Sequence, residues 1–204
     1  CIYAFNKNEL KKFYSLKKKS EIEEMEDIEI LRFFDLGVKI KMVKLNSNSV
    51  AVGFQALRNN TGTANIAIGK ESGSANTSGT NIIAIGAGAY DAADTETHNL
   101  AIGTDALGGA VAGGEFNVGI GNATLDALTS GDSNTAIGYN SASGLTTGSA
   151  NTFLGENAGS NAVVTGNDNV VVGKSAGANM TSAHSSVFMG KDAGGETTTG
   201  TLNT

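Results

Sequence analysis

Tryptophan and proline are absent from the 204 residues, cysteine occurs once, and aromatic residues make up only 6% of the chain. The single Cys1 excludes an internal disulfide and a cysteine-based zinc site, and two histidines leave little room for a histidine-rich one. The large side chains that usually fill a globular core are therefore scarce. Positive charge is short as well: 14 Lys+Arg stand against 20 Asp+Glu, and the net −6 disfavours a phosphate-binding surface, so no nucleic-acid partner is expected. The longest apolar stretch, around Ile82 to Tyr90, falls far short of a membrane span, and no basic-then-apolar leader precedes it. Direct membrane insertion is not expected. The sequence begins at Cys1 rather than Met and reads as part of a longer chain, which leaves export open.

Glycine is abundant, with 28 residues, and its distribution divides the chain. Residues 1–44 hold ten of the fourteen basic residues, eight acidic ones and a single Gly, whereas residues 45–204 hold 27 Gly, four basic and twelve acidic residues, a balance of −8. In the first part a Lys cluster (Lys11, Lys12, Lys17, Lys18, Lys19) runs into an acidic one (Glu21, Glu23, Glu24, Glu26, Asp27, Glu29), with Ile22, Met25 and Ile28 near helical spacing. This pattern predicts a short amphipathic helix over 8–34. The alternation Val38-Lys39-Ile40-Lys41-Met42 then suits a strand with one wet face, unless the segment is a cap, a linker or a leader upstream of a start at Met42.

The second part is a repeat. An aliphatic triplet closed by Gly occurs nine times, at Gly53, Gly69, Gly86, Gly103, Gly121, Gly138, Gly155, Gly173 and Gly190, at intervals of 16 to 18 residues. The residue before each Gly is aliphatic or Met. The residue two before it is usually Ala, with Gly119, Phe153, Val171 and Phe188 as exceptions. Asn lies four before the Gly in six copies (Asn65, Asn99, Asn117, Asn134, Asn151, Asn169), and a second Gly lies seven before it in six (Gly62, Gly79, Gly114, Gly131, Gly148, Gly166). Gly200 and Asn203 open a tenth copy.

A short strand, a Gly, small residues and a turn recurring about every 17 residues describe one coil of a parallel β-solenoid, in which equivalent side chains stack about 4.8 Å apart. Each closing Gly is expected to take a positive φ or to let another backbone pass close. The Asn column is expected to form a ladder that satisfies turn backbone. Strand alternation separates the residues one and three before the Gly, read as a Val/Ile ladder filling the coil, from the Ala two before it, read as a surface that another chain covers. Replacing Ile102 by Asp is then expected to unfold the neighbouring coils. A single thin roll orders about 17 residues per coil, at about 1–2 kcal/mol of backbone entropy each, for two or three aliphatic side chains, so self-association is expected.

The stretches Asn48-Ser49-Val50-Ala51-Val52-Gly53, Asn65-Ile66-Ala67-Ile68-Gly69 and Asn134-Thr135-Ala136-Ile137-Gly138 resemble the head repeats of YadA-like trimeric autotransporter adhesins. With Thr147-Gly148-Ser149-Ala150-Asn151-Thr152 between triplets, the longer unit is similar to repeats of bacteriophage tail fibres and large bacterial surface proteins. The resemblance covers residues 46–204. It implies a left-handed β-roll, three chains about one axis, and extracellular display on a bacterial cell surface or a virion for attachment to a host-cell surface protein or glycan. The longer coil and the bulky Phe153 and Phe188 depart from the pattern.

Motifs for chemistry are weak. Val172-Gly173-Lys174-Ser175 is like the end of a phosphate-binding loop, but Asp168 stands where that loop needs Gly. His98 and His184 lie five and six residues before their glycines and so do not stack, and no calcium-binding Gly-Gly-x-Gly-x-Asp ladder recurs. Neither a cofactor nor catalysis is expected. Thr or Ser eight before the Gly with Thr six before it (Thr61/Thr63, Ser78/Thr80, Thr95/Thr97, and Thr199/Thr201 in the tenth copy) supports an alternative, an ice-binding solenoid, although Glu115, Asp132, Ser149, Asn167 and His184 interrupt that face. For attachment, the variable loops after the triplets, such as Gly108 to Gly113 and Asn157 to Val163, are the expected contact segments.

Overall fold

A computed structural model describes residues 48–109 and 113–203. The helix expected over 8–34 and the strand over 38–42 lie outside the described residues.

The repeat builds one β-solenoid. Nine three-residue strands, β1 (Val50–Val52), β2 (Ile66–Ile68), β3 (Ile83–Ile85), β4 (Leu100–Ile102), β5 (Val118–Ile120), β6 (Thr135–Ile137), β7 (Thr152–Leu154), β8 (Val170–Val172) and β9 (Val187–Met189), stack in sequence order as one parallel sheet. Register follows the repeat: Ala67 pairs with Ala84, Ala136 with Phe153 and Val171 with Phe188. Rungs 1 to 9 are numbered here by the strand each carries.

Close approach explains the glycines. All nine closing glycines have φ between +120° and +140°. A Cβ on any of the eight from Gly53 to Gly173 would lie 2.2–2.7 Å from the backbone of the next closing Gly. Each from Gly69 onward also donates its N–H to the carbonyl of the last strand residue one rung back, as Gly138 does to Ile120 at 2.8 Å, which extends the ladder past the strand. The second Gly column works in the same way: a Cβ on Gly62, Gly131 or Gly148 would meet a carbonyl oxygen of the following rung at 2.0–2.1 Å.

The corners are left-handed, and glycine fills them only in part: Gly73, Gly88, Gly159, Gly177 and Gly194 have φ of 56–65°, and other residues take the rest. Every non-Gly residue with positive φ among the described residues falls in one of three columns, five before, two after or four after the closing Gly, and none is Val, Ile or Thr. A second branch at Cβ makes that conformation a genuine outlier, whereas Asn, Asp, Ser, Ala and Leu reach it at modest cost.

The inside of the coil reverses one expectation. Residues two before the Gly point inward: Ala67, Ala84, Ala101, Ala136, Phe153 and Val171 are fully buried, while Val50, Val52, Ile68, Ile137 and Leu154 are 38–49% exposed. The Val/Ile columns therefore lie outside, and the Ala column is the core wall. The reason is a second wall, four residues after the Gly, in the segment that the repeat pattern presents as a loop. In seven of the nine coils the two walls share one narrow space and compensate in size, as Ala51 with Leu57, Ala84 with Tyr90, Gly119 with Leu125, Phe153 with Gly159, and Phe188 with Gly194; in the other two both are small, Ala67 with Gly73 and Ala136 with Ala142. A Cβ on Gly159 would sit 2.3 Å from the Phe153 ring, and one on Gly194 would sit 2.1 Å from Phe188. Where one wall is large, the other must be small.

The Asn ladder is present and buried. The Oδ1 atoms of Asn99, Asn117, Asn134, Asn151 and Asn169 each accept the backbone N–H of the equivalent residue one rung on, at 2.9–3.0 Å. Asn134, Asn151 and Asn169 also donate through Nδ2 to the Asn below at 3.0–3.1 Å. Their Nδ2 groups donate a second time to the carbonyls of Gly148, Gly166 and Ala183 in the following rung. The ladder breaks at Ile82. There Asn65 still accepts the Ile82 N–H at 3.0 Å and donates to Asn60 and the Gly79 carbonyl, but Ile82 has no acceptor to pass on, and Asn99 donates to the buried Tyr90 hydroxyl at 2.9 Å. Burial raises the Tyr90 pKa above its ordinary value. Among the described residues no buried side-chain nitrogen or oxygen lacks a partner.

Candidate functional site

With the Ala column turned inward, the solenoid presents a flat aliphatic face. Two columns, Val50 to Val187 three before the Gly and Val52 to Met189 one before it, run over nine rungs. Nine rungs at about 4.8 Å and two side-chain columns make a patch roughly 40 Å by 10 Å, on the order of 400 Å². That equals the largest apolar patch of a typical soluble protein, and such patches often serve as contact sites. The face is poorest in apolar groups at Thr135 and Thr152, in the sixth and seventh rungs.

Two exposed columns flank it. Five before the Gly stand Asn48, Ala64, Asn81, His98, Phe116, Ser133, Ala150, Asp168 and Ser185; one after it stand Phe54, Lys70, Ala87, Thr104, Asn122, Tyr139, Glu156, Lys174 and Lys191. On the first flank the His98 and Phe116 rings stack, with centroids 4.9 Å apart and planes 17° from parallel. His98 also touches Asn81 at 3.2 Å and Thr97 at 2.8 Å. On the second, Lys174 bonds both carboxylate oxygens of Glu156 at 3.0 and 3.1 Å.

The residues six before the Gly, which interrupt the Thr face, have a role that the sequence reading missed. Asp132, Ser149, Asn167 and His184 each accept the backbone N–H of the equivalent residue one rung earlier, at 2.7–3.1 Å. What they share is an acceptor atom close to the backbone, a signal visible in the composition of the column. A neighbouring Thr column is similarly engaged, because Thr61, Thr77, Thr129 and Thr181 donate their hydroxyls to carbonyls of the following rung at 2.7–3.0 Å.

The expected contact loops are less free than their sequence suggests. In 157–163, Ala158 and Gly159 are buried as part of the second wall, and the outward side chains are those of Asn161 and Val163. In 108–113, Gly108 and Gly109 are half-buried, and residues 110–112 lie outside the described residues. The buried Glu96 holds this turn by accepting the N–H groups of Asp94, Thr95 and Gly113 at 2.9–3.2 Å.

Asp91, Asp105 and Asp126 lie along one edge, with Asp105 between the other two. Asp105 Oδ1 stands 2.3 Å from where a Gly88 Cβ would be, with Asp91 Oδ2 at 3.5 Å. Burial first, and repulsion by Asp105 second, raise the pKa values of Asp91 and Asp126. A carboxyl raised in the folded state opposes folding once ionised, so this cost is absent in acid and develops as pH rises through the folded pKa. Asp105→Asn is isosteric and removes the shared neighbour. It is expected to raise the melting temperature at pH 7 by on the order of 1 °C, because these groups are well solvated, and to leave it unchanged at pH 3. Thermal melts of both proteins at the two pH values check this.

Among the described residues no group of three or more His, Cys, Asp or Glu is placed to hold a metal, and no helix is long and apolar enough to cross a membrane. Compared with protein-family models, with curated proteins and with solved structures, the chain matches none.

Proposed function

We propose that this chain is an extracellular structural and attachment module, an adhesin head or tail-fibre shaft on a bacterial cell surface or virion, that acts as a homotrimer and does no chemistry. The observation that carries the reading is the aliphatic face, which runs the length of the solenoid and is interrupted only by Thr135 and Thr152 in one of its two columns. A roll whose strands turn their Ala inward and their Ile, Val and Leu outward is built to be covered along its length, and three rolls about a common axis would cover all three faces at once. Side chains away from that axis, such as Asn161 and Val163, then remain for a host-cell surface protein or glycan, with repeated weak contacts on three chains supplying avidity.

Light scattering on the full chain tests the assembly, with three chains per particle expected. Ile102, first read as a core residue, becomes the probe. Ile102→Asp is expected to leave the far-UV spectrum of the β-solenoid intact and to weaken association at least about a hundredfold, since it sets a charge in the middle of a buried apolar patch. Loss of the spectrum would return Ile102 to the core. A monomeric wild type with thermal hysteresis would support the ice-binding alternative.

A further inference from the structure

The flanks of the aliphatic face hold more information than the face itself. In any assembly of parallel copies about an axis along the solenoid, the flank five before the Gly of one copy meets the flank one after the Gly of its neighbour, rung for rung. The two flanks are complementary at equal height. Rungs that are bulky on the first flank, with His98 and Phe116, carry Thr104 and Asn122 on the second. Rungs that are bulky on the second, with Phe54 and Tyr139, carry Asn48 and Ser133 on the first. Above Phe116, whose other side is covered by His98, the first flank falls away to Ser133 and Ala150, which leaves an aromatic shelf with a two-rung notch over it. Tyr139, 60% exposed, stands on the opposite flank at the height of that notch.

Charge agrees with size. Asp168, the one carboxylate on the first flank, shares its rung with Lys174 on the second, and Glu156 faces Ala150, so no like charges meet. An antiparallel pair would reverse the order of rungs and set like flank on like flank. That would bring Lys70 against Lys174 and one Phe116 ring against the other.

We propose that copies of this chain associate in parallel and in register, with Tyr139 of one copy seated in the Ser133 notch against Phe116 of the next, and with Lys174 of the first bridging to Asp168 of the second. The proposal rests on the assembly reading above and adds to it direction, register and the residues that fix them. Ser133–Tyr139 is the locking pair, and the aliphatic columns supply the bulk of the buried surface.

Disulfide trapping on the full chain, with Cys1→Ser as background, tests it. Ser133 and Tyr139 are six residues apart on opposite flanks of one strand, a span of roughly 15–20 Å that no intrachain disulfide bridges. Under oxidation the Ser133→Cys/Tyr139→Cys double variant is expected to form a covalent ladder that ends at three chains on a non-reducing gel. Neither single variant should cross-link. In a second measurement, Tyr139→Ala and Ser133→Tyr should each weaken association about tenfold or more by light scattering. An assembly that persists while the double variant stays uncrosslinked overturns the register but spares the assembly reading. Cross-linking of Phe116→Cys alone into dimers overturns the parallel direction. A monomeric wild type overturns both.

Discussion

Gly121→Ala is expected to cost at least about 3 kcal/mol and to part the solenoid locally, whereas Gly119→Ala, two residues earlier in the same rung, is expected to be neutral or stabilising by about 0.5 kcal/mol. Gly121 has a φ of +134°, and a methyl group there would sit 2.3 Å from the carbonyl oxygen and 2.6 Å from the carbonyl carbon of Gly138. Those atoms are backbone, held by the N–H of Gly138 donating to Ile120 at 2.8 Å and by the strand pairing of rungs 5 and 6. The clash can be relieved only by separating the rungs, and that exposes the Asn117–Asn134 ladder to water. At Gly119 the same methyl would point into the core, 3.6 Å from side-chain carbons of Leu107 and Leu125, and it would reproduce the Ala of most other rungs. Urea denaturation at matched protein concentration separates the two, since association contributes to apparent stability. Equal losses at both positions would show that glycine is needed for flexibility along the strand rather than for backbone approach at the corner.

The same contrast explains what could be read without coordinates. Glycine and asparagine columns were legible because each answers a constraint that one residue type meets: a carbonyl packed where a Cβ would lie, and a turn whose N–H needs an acceptor while its carbonyl needs a donor. The direction of the strand was not legible from the strand alone. Ala51-like and Val52-like positions alternate, and either set satisfies alternation when placed inside. Hydrophobicity alone assigns the aliphatic side chains to the filling of the coil, but a coil this narrow has no room for a branched residue on both walls. The deciding evidence lay six residues away. Phe153 and Phe188, which look like departures in their own column, are each followed at that distance by a glycine, Gly159 and Gly194, and Gly119 is followed by Leu125. The corners left a fainter mark, the absence of Val, Ile and Thr from three columns, which becomes meaningful only when the coil phase is known. The flank complementarity is a relation between copies, so it needed the outward columns to be identified first.

Compensation between the walls makes the last prediction the sharpest. Phe153→Ala empties a fully buried aromatic site and is expected to cost about 3–5 kcal/mol, because the facing Gly159 has no side chain with which to fill the space. Gly159→Leu in the wild-type background is also expected to destabilise, since its Cβ alone would lie 2.3 Å from Cε1 of Phe153. Combined, the two substitutions recreate the Ala/Leu pairing of Ala51 with Leu57 and Ala101 with Leu107. The left-handed backbone at Gly159, φ +61°, is close to that at which Leu107 and Leu125 already sit, φ 51° and 53°. The following rung favours the swap as well: Leu57 leans over Gly73 in the next rung, and a leucine at 159 would have Gly177 in the same relation. The double variant is therefore expected to recover at least about 2 kcal/mol relative to the sum of the single losses, as an interaction term between residues in direct contact. Additive losses would mean that each rung is packed against its neighbours more than across its own coil, and the two-wall account of the core would fail.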